Sequence, residues 1–258
     1  MIAACSDDGS SVAGATSAGQ PEQSGPGEAT TTQPPSTAQP TDTAQAPATT
    51  TDVVDPLRVV DFEGVGGCDP LPAQGEGPFY LDEDLVRANI IEDRTGTPLR
   101  IGIRVVDRDC VAVAGVAVDI WHCDSLGDYS AFVDGSVDRG EAGPGTTFLR
   151  GTQVTDADGI VEFLTVWPGW YPGRTVHIHL KVRDGANAFT TQMYFDEDAT
   201  TAVYQNEPYS FRGLRSVFNG SDGIAGNPER DGLIIGTTAA TTPIGEGHLG
   251  LFVAAVDL

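Results

Sequence analysis

The chain has 258 residues, of which 37 are acidic and 14 are basic, so its formal net charge is −23. So strong an acidic excess argues against a nucleic-acid partner and against adsorption to anionic lipid. No run of about eighteen apolar residues occurs, and we therefore expect no membrane-spanning helix. The length suits one large all-β domain, which we place at residues 56–258.

Residues 1–55 are predicted to form a disordered tether, because small, polar and proline residues dominate them and the first basic residue is Arg58. Such a composition buries too little apolar surface to offset the entropy of ordering. The start, Ile-Ala-Ala-Cys5, resembles the end of a bacterial lipoprotein signal whose preceding segments are missing. We expect a truncated start, a lipidated Cys5 and a location outside the cytoplasm, the alternative being a chance match before a dispensable tail.

The globular part begins with an arm rich in proline and glycine, residues 68–80, which suits neither a helix nor a central strand. Short stretches with β character follow, at residues 99–108, 115–122, 148–155, 160–166, 175–182, 189–195 and 249–256. Turn signals separate them and helical periodicity is nearly absent, so we predict an antiparallel β-sandwich. Residues 196–247 are expected to form long loops with one short helix near residues 199–205.

Two of the four histidines, His177 and His179, lie one residue apart in a predicted strand. Alternate strand residues share a face, so both imidazoles point the same way. Tyr171 and Arg174 precede them closely. Tyrosinate and imidazole together suit a ferric ion, whereas zinc sites are usually built from cysteine, histidine and carboxylate. The alternative is a half-buried strand with two hydrogen-bonded histidines.

The motifs around these residues resemble those of intradiol ring-cleavage dioxygenases of the protocatechuate 3,4-dioxygenase type. They lie at residues 75–80, 118–130, 149–156, 168–171, 174–179 and 191–195. The resemblance implies a non-haem Fe(III) ion held by Tyr129, Tyr171, His177 and His179. It also implies that the enzyme cleaves a catechol-type ring between its two hydroxylated carbons with O2, giving a cis,cis-muconate-type diacid.

The same resemblance assigns roles beside the metal. Tyr171 serves as an internal base as well as a ligand, because one tyrosinate can leave as the catechol loses its protons. Arg174 is placed to stabilise negative charge on the substrate, and Gln192 corresponds to a family glutamine near the substrate. Arg150 is a further matching position, with a structural role in strand pairing as the alternative.

The remaining candidates are expected to be structural. His122 follows a strand end and is interpreted as a structural residue or a support for a ligand. Tyr80 is expected to pack, or else to line the mouth of the site. The other packing tyrosines are Tyr194, Tyr204 and Tyr209, and His248 is assigned no role.

An extracytoplasmic location permits a disulfide. Cys110 and Cys123 flank one predicted strand and are too far apart to pair, which leaves Cys68 to pair with either. By the resemblance, the arm lies near the metal end of the sandwich, so we predict a Cys68–Cys123 bond.

Two other functions fit the sequence less well. A surface-displayed sandwich that only binds polyphenols or sugars has no reason to keep the full set of tyrosines, histidines and arginine. A zinc hydrolase would need a carboxylate base beside the histidine pair. The identity of the catechol and the oligomeric state are left open, with protocatechuate, catechol, hydroxyquinol and lignin-derived fragments all compatible.

Overall fold

The computed structural model describes residues 61–83, 85–132 and 143–258. The predicted tether, with Cys5, lies outside these residues, so the tether and its boundary stay predictions. In the described part, eight strands form two four-stranded sheets. The strands are β1 (Pro98–Val106), β2 (Ala117–Trp121), β3 (Arg150–Val154), β4 (Ile160–Val166), β5 (His177–Asp184), β6 (Asn187–Tyr194), β7 (Gly236–Thr242) and β8 (Gly245–Ala255). The predicted all-β sandwich is confirmed.

The first sheet has the order β4-β1-β8-β7 and the second the order β3-β2-β5-β6. All neighbours are antiparallel except β1 and β8, which run parallel. In the second sheet, His179 of β5 lies opposite Trp121 of β2 on one side and Gln192 of β6 on the other. The register therefore places these three side chains in one row across the sheet.

The core lies between the sheets and is built by alternation along the strands. Ile178 and Leu180 of β5 are fully buried there and share one apolar cluster with Ile101 and Ile103 of β1. His177 and His179 therefore lie on the outer face of the second sheet. That face is covered by the arm, whose Gln74 backbone N–H donates to the carbonyl of Thr190 on β6 at 2.9 Å.

The segment after β6 contains one element that the sequence analysis missed. Strand β7 has the sequence GTTAATT and is mostly exposed or half-buried, so it shows no apolar alternation. It is an edge strand held by backbone pairing with β8. The predicted short helix is present as α1 (Glu197–Val203), where the Asp196 carboxylate accepts from the Ala199 N–H at 2.8 Å. Two short 3-10 helices follow, Tyr209–Arg212 and Asn219–Ser221.

The predicted Cys68–Cys123 disulfide is wrong. Cys68 is bonded to Cys110, with 5.3 Å between their Cα atoms, and Cys123 is a free, buried thiol. The first part of the arm runs beside β8, where the Leu71 N–H donates to the Ala255 carbonyl at 3.0 Å. This places Cys68 beside the turn that follows β1. The arm reaches the outer face of the second sheet only from Gln74 onwards.

No helix in the described ranges is long and apolar enough to cross a membrane.

Candidate metal centre

The two histidines of β5 present their Nε2 atoms to a common point. Both side chains are buried, and the two Nε2 atoms are 3.2 Å apart. The Nδ1–H of His177 donates to the Thr175 carbonyl at 2.7 Å, so the lone pair of this ring lies on Nε2. His179 is held differently, by stacking on Trp121 with ring centroids 4.7 Å apart and an angle of 7°.

Two tyrosines complete this group from loops. Tyr129 follows β2, and its Oη lies 3.2 Å from Nε2 of His179 and 3.4 Å from Nε2 of His177. Tyr171 follows β4, and its Oη lies 3.0 Å from Nε2 of His177. Four side-chain donor atoms from three segments thus converge at distances of 3.0 to 3.4 Å. The structure brings together all four residues that the sequence predicted as metal ligands.

Burial sets the protonation of the four donors. It lowers the pKa of His177 to about 3 and that of His179 well below its usual value, so both imidazoles are neutral. It raises the pKa of Tyr171 to about 12 and that of Tyr129 well above the usual value. A buried phenolate in this position needs a cation beside it.

The donor set fits a hard metal ion. The described ranges contain no group of three or more histidine, cysteine, aspartate or glutamate side chains that could hold a metal, so the tyrosines are essential to this centre. Nδ1 of His179 is buried without a hydrogen-bond partner in the described structure, so only Nε2 of this ring faces a polar neighbour. Two phenolic oxygens and two imidazole nitrogens match Fe(III) better than Zn²⁺, which favours sulfur, nitrogen and carboxylate ligands.

Arg174 and Gln192 lie beside the four donors. Nη1 of Arg174 is 3.4 Å from Nε2 of His177, and its Nη2 donates to Oε1 of Gln192 at 2.5 Å. The Gln192 Nε2 in turn donates to the Gly75 carbonyl of the arm at 3.0 Å. The two residues predicted to face the substrate therefore contact each other at the edge of the centre.

Asp222 is a residue of this site that the sequence analysis missed. Its carboxylate is fully buried and accepts from Nε of Arg174 at 2.9 Å and from the Thr175 N–H at 2.7 Å. It lies in an irregular stretch of glycine, asparagine and aspartate, far along the chain from Arg174. Only the position of this loop in the fold reveals the pairing, and no local pattern marks it.

The arm covers the site on the outer face of the second sheet. Gly77 has a φ of 76°, and a Cβ at this position would lie 3.3 Å from Cε1 of His179. Glycine is favoured here both by the left-handed backbone and by the close approach to the imidazole. Next along the arm, Phe79 stacks on Tyr129 with ring centroids 4.6 Å apart. The arm therefore contacts two of the four donors directly.

Arg150 supports the site by linking two of the segments around it. Its guanidinium is buried and donates to the carbonyl of Ser130 at 2.8 Å, to Oγ of Ser130 at 2.7 Å and to the carbonyl of Phe79. Desolvation lowers the pKa of Arg150 to about 10. The side chain thus joins the loop of Tyr129 to the arm, in addition to the backbone pairing of Arg150 with Trp121.

The other predicted structural residues lie away from the donor atoms. His122 is buried between the sheets, with Nδ1 at 2.7 Å from the Cys123 carbonyl and Nε2 at 2.7 Å from Oγ1 of Thr165. Tyr80 packs on Trp121 and donates to Asp119 at 3.0 Å. The hydroxyls of Tyr204 and Tyr209 donate to the carbonyls of Pro168 and Trp167, at 2.9 and 2.6 Å, and His248 packs edge-on against Trp167. Tyr194 differs from these residues because its hydroxyl contacts Gln192.

Comparison with known proteins identifies the class. A family model described as "Dioxygenase" matches residues 72–206, which is more than half of the chain and includes every predicted site residue. The relatives that match include chlorocatechol 1,2-, catechol 1,2- and protocatechuate 3,4-dioxygenases, and a matching solved structure is described as an intradiol ring-cleavage dioxygenase. The chain therefore belongs to the intradiol ring-cleavage dioxygenase family.

Particular relatives cover the chain to different extents. It is 30% identical to a chlorocatechol 1,2-dioxygenase of Pseudomonas sp. (strain P51), over 54% of this chain and 60% of the relative. It is 32% identical to the protocatechuate 3,4-dioxygenase beta chain of Burkholderia cepacia, over 54% of this chain and 63% of the relative. The chain thus spans less than two thirds of the length of these curated relatives.

Solved structures match over a larger share. An intradiol ring-cleavage dioxygenase from Tetranychus urticae superposes with a TM-score of 0.65 at 36% identity, covering 74% of this chain and 95% of the other. The dioxygenase domain of a dioxygenase carbohydrate-binding protein fusion from Streptomyces sp. SirexAA-E gives a TM-score of 0.53 at 30% identity. It covers 73% of this chain and all of that domain.

Proposed function

We propose that this protein is a non-haem Fe(III) intradiol dioxygenase that acts on catechol-type aromatics. The observation that carries the proposal is the convergence of Tyr129, Tyr171, His177 and His179 on one covered face of the second sheet, with Arg174 at its edge. Family membership supports the reaction class.

The four donor atoms would hold the ferric ion, two as phenolates and two as neutral imidazoles. When bound, Fe(III) supplies a Lewis acid that draws electron density from a chelated catecholate and makes the ring reactive towards O2. Tyr129 and the two histidines are fully enclosed, whereas Tyr171 is half-buried. Tyr171 is therefore the donor residue that an incoming catechol would reach first.

The side chains around the metal position perform the proton and charge steps. Oη of Tyr171 would accept one proton from a catechol hydroxyl. The guanidinium of Arg174 faces the same point from its Nη1 atom and stabilises negative charge on the substrate. Gln192 fixes the guanidinium from its other side, and the arm limits the access of water to the site.

The overall reaction balances without another reactant. The carbon–carbon bond between the two hydroxylated carbons breaks, and both atoms of O2 enter the product. The ring carbons are oxidised as O2 is reduced, and the two phenolic oxygens and two new oxygens become the two carboxyl groups of a muconate-type diacid.

The proposal includes a location outside the cytoplasm, with the chain attached through a lipidated Cys5. The Cys68–Cys110 bond supports an oxidising compartment. The composition of residues 1–55 suits a surface spacer. Mass spectrometry of the protein isolated from membranes of its producing cell tests the lipid, because an unmodified Cys5 contradicts the attachment.

A visible spectrum of the iron-loaded protein tests the proposed centre. Charge transfer from tyrosinate to Fe(III) should give a burgundy colour that moves to longer wavelength when catechol is added without O2. Tyr171→Phe should weaken this band, whereas the control Tyr209→Phe, which also loses a buried hydroxyl, should retain it. A wild-type protein that stays colourless after ferric loading would refute the function.

A further inference from the structure

A closed ring of hydrogen bonds holds Arg174 and Gln192, and it includes residues from three distant parts of the chain. From Arg174 the ring runs to Gln192 (2.5 Å), from Gln192 to Tyr194 (3.1 Å) and from Tyr194 to Gln74 of the arm (2.8 Å). Nε2 of Gln74 then donates to the Ile224 carbonyl at 3.2 Å. The Ile224 N–H donates to Asp222 at 2.7 Å, and Asp222 returns to Arg174 at 2.9 Å.

Asp222 is the residue of this ring whose side chain is most firmly held. Its two carboxylate oxygens accept four hydrogen bonds, from Arg174 and from the backbone N–H groups of Thr175, Ile224 and Ala225. These donors occupy both oxygens, so the carboxylate cannot rotate without losing several bonds. Because the bond from Arg174 comes from Nε, both Nη atoms remain directed towards Gln192 and the donor atoms.

Tyr194 is the link between the arm and the substrate-facing pair. Its single hydroxyl hydrogen lies between two amide oxygens, Oε1 of Gln74 and Oε1 of Gln192. Nε2 of Gln74 donates to the Ile224 carbonyl, and Nε2 of Gln192 donates to the Gly75 carbonyl. The amide orientations are therefore set, and Tyr194 is the donor that holds both oxygens in place.

We propose that Gln74, Tyr194 and Asp222 are positioning residues that fix Arg174 and Gln192 for the reaction, so that one set of hydrogen bonds holds both the arm and the guanidinium in place. This inference rests on the proposed function. None of the three contacts the four donor atoms through a hydrogen bond in the described structure, so they act through Arg174 and Gln192. A guanidinium held at Nε by Asp222 and at Nη2 by Gln192 keeps Nη1 directed at one place, where it can stabilise charge on the substrate.

Steady-state kinetics with catechol test the ring in the iron-loaded protein. Tyr194→Phe and Gln74→Leu should each lower kcat roughly tenfold, the value of about one hydrogen bond, with little change in KM. Because both changes open the same ring, the double variant should be no slower than the slower single variant. The control Tyr204→Phe removes a buried tyrosine hydroxyl outside the ring and should keep wild-type kcat and KM.

The ferric absorption band separates positioning from loss of the metal centre. It should be unchanged in Tyr194→Phe and Gln74→Leu, since neither residue supplies a donor atom. Single variants that match Tyr204→Phe, effects that multiply in the double variant, or a drop in kcat that follows loss of the band would each overturn the positioning role. A wild-type protein without catechol turnover would instead refute the proposed function.

A second readout does not depend on turnover. In the full chain with Ga(III), a diamagnetic substitute for Fe(III), the Nε–H of Arg174 should give a resolved NMR signal with slow hydrogen exchange. Its exchange should accelerate at least roughly tenfold in Asp222→Asn and in Tyr194→Phe. Asp119→Asn is the matched control, because Asp119 is also a buried, arginine-paired carboxylate. Equal exchange in Asp222→Asn and Asp119→Asn would overturn the proposal even if the protein had no activity.

Discussion

Both faces of β5 are buried at residues 177–180, but different parts of the chain cover them. On the core face, Ile178 and Leu180 are covered by the aliphatic side chains of the opposing sheet. On the outer face, His177 and His179 are covered by the arm and by the loops that carry the tyrosines. Burial against another sheet yields an inert core, whereas burial under separate segments allows polar donors from several parts of the chain to meet. The metal centre therefore depends on segments that add little to the core.

Removing a donor from the outer face should give the largest effect. His177→Ala deletes one of the four converging atoms, so iron affinity and catechol turnover should both fall by more than about 100-fold. Iron content after dialysis and kcat measure this. The core should stay intact, so a near-wild-type unfolding midpoint for the metal-free protein is expected. Retention of iron by His177→Ala would show that the donors do not act as one centre.

Removing a side chain from the core face should have the opposite effect: stability should fall, whereas iron binding and turnover should be retained. Leu180→Ala leaves a cavity between the sheets and should lower the free energy of unfolding by about 3 kcal/mol. At temperatures where the variant is folded, its ferric band and kcat should stay close to those of the wild type. Urea denaturation and the visible spectrum measured together check this. Iron loss in folded Leu180→Ala would contradict the separation of the two faces.

His122 is a polar residue on the core side. Because of it, the free energy of unfolding should depend on pH. Burial, with a smaller effect of the Arg150 charge, lowers its pKa to about 4. Above its unfolded pKa of about 6.5 the ring is neutral in both states and stability does not depend on it. As the pH falls from about 6.5 to about 4, only the unfolded chain gains the proton, so this residue should cost up to about 3 kcal/mol.

His122→Gln in the iron-loaded protein tests this pH dependence. The free energy of unfolding of the wild type should fall between pH 6.5 and pH 4, and the fall should be smaller in the variant. The ligand histidines remain in both proteins, so the difference between the two curves isolates His122. Parallel curves would show that His122 does not contribute.

A smaller effect should come from substitutions at two glycines that carry the same backbone cost. Gly77→Ala and Gly185→Ala both introduce a side chain at positive φ and should each cost about 1 kcal/mol of stability. Only the Cβ at residue 77 meets His179, since nothing lies within 4 Å of the one at residue 185. Gly77→Ala alone should therefore lower iron affinity and kcat, and equal kinetics of the two variants would mean that the arm does not support the centre.

Local patterns in the sequence were enough for seven of the eight described strands and for the histidine pair with Tyr171. Period-two alternation marks β5, and the spacing of His177 and His179 places both rings on one face. An aromatic and proline-rich motif marks the loop of Tyr171, whereas only the resemblance to the family identifies Tyr129. The signals for the strands, the histidine pair and Tyr171 each lie within a few residues, so they require no knowledge of tertiary structure.

The features that could not be predicted depend on distant segments. Strand β7 has no apolar face and exists because β8 pairs with it. The pairing of Cys68 with Cys110 depends on the path of the arm along β8, and the role of Asp222 depends on the position of its loop beside β5. Such contacts arise from the topology of the sheets, which composition and periodicity do not determine.

The parallel pairing of β1 with β8 has a consequence for the order of folding. Leu99 of β1 lies opposite His248 of β8, so the first sheet cannot be completed until β8 is present. By then all four converging donors have emerged, since the last of them is His179. Pairing across so long a loop is slow. The imidazoles and phenols of the site are therefore all present in the chain before the first sheet can be completed.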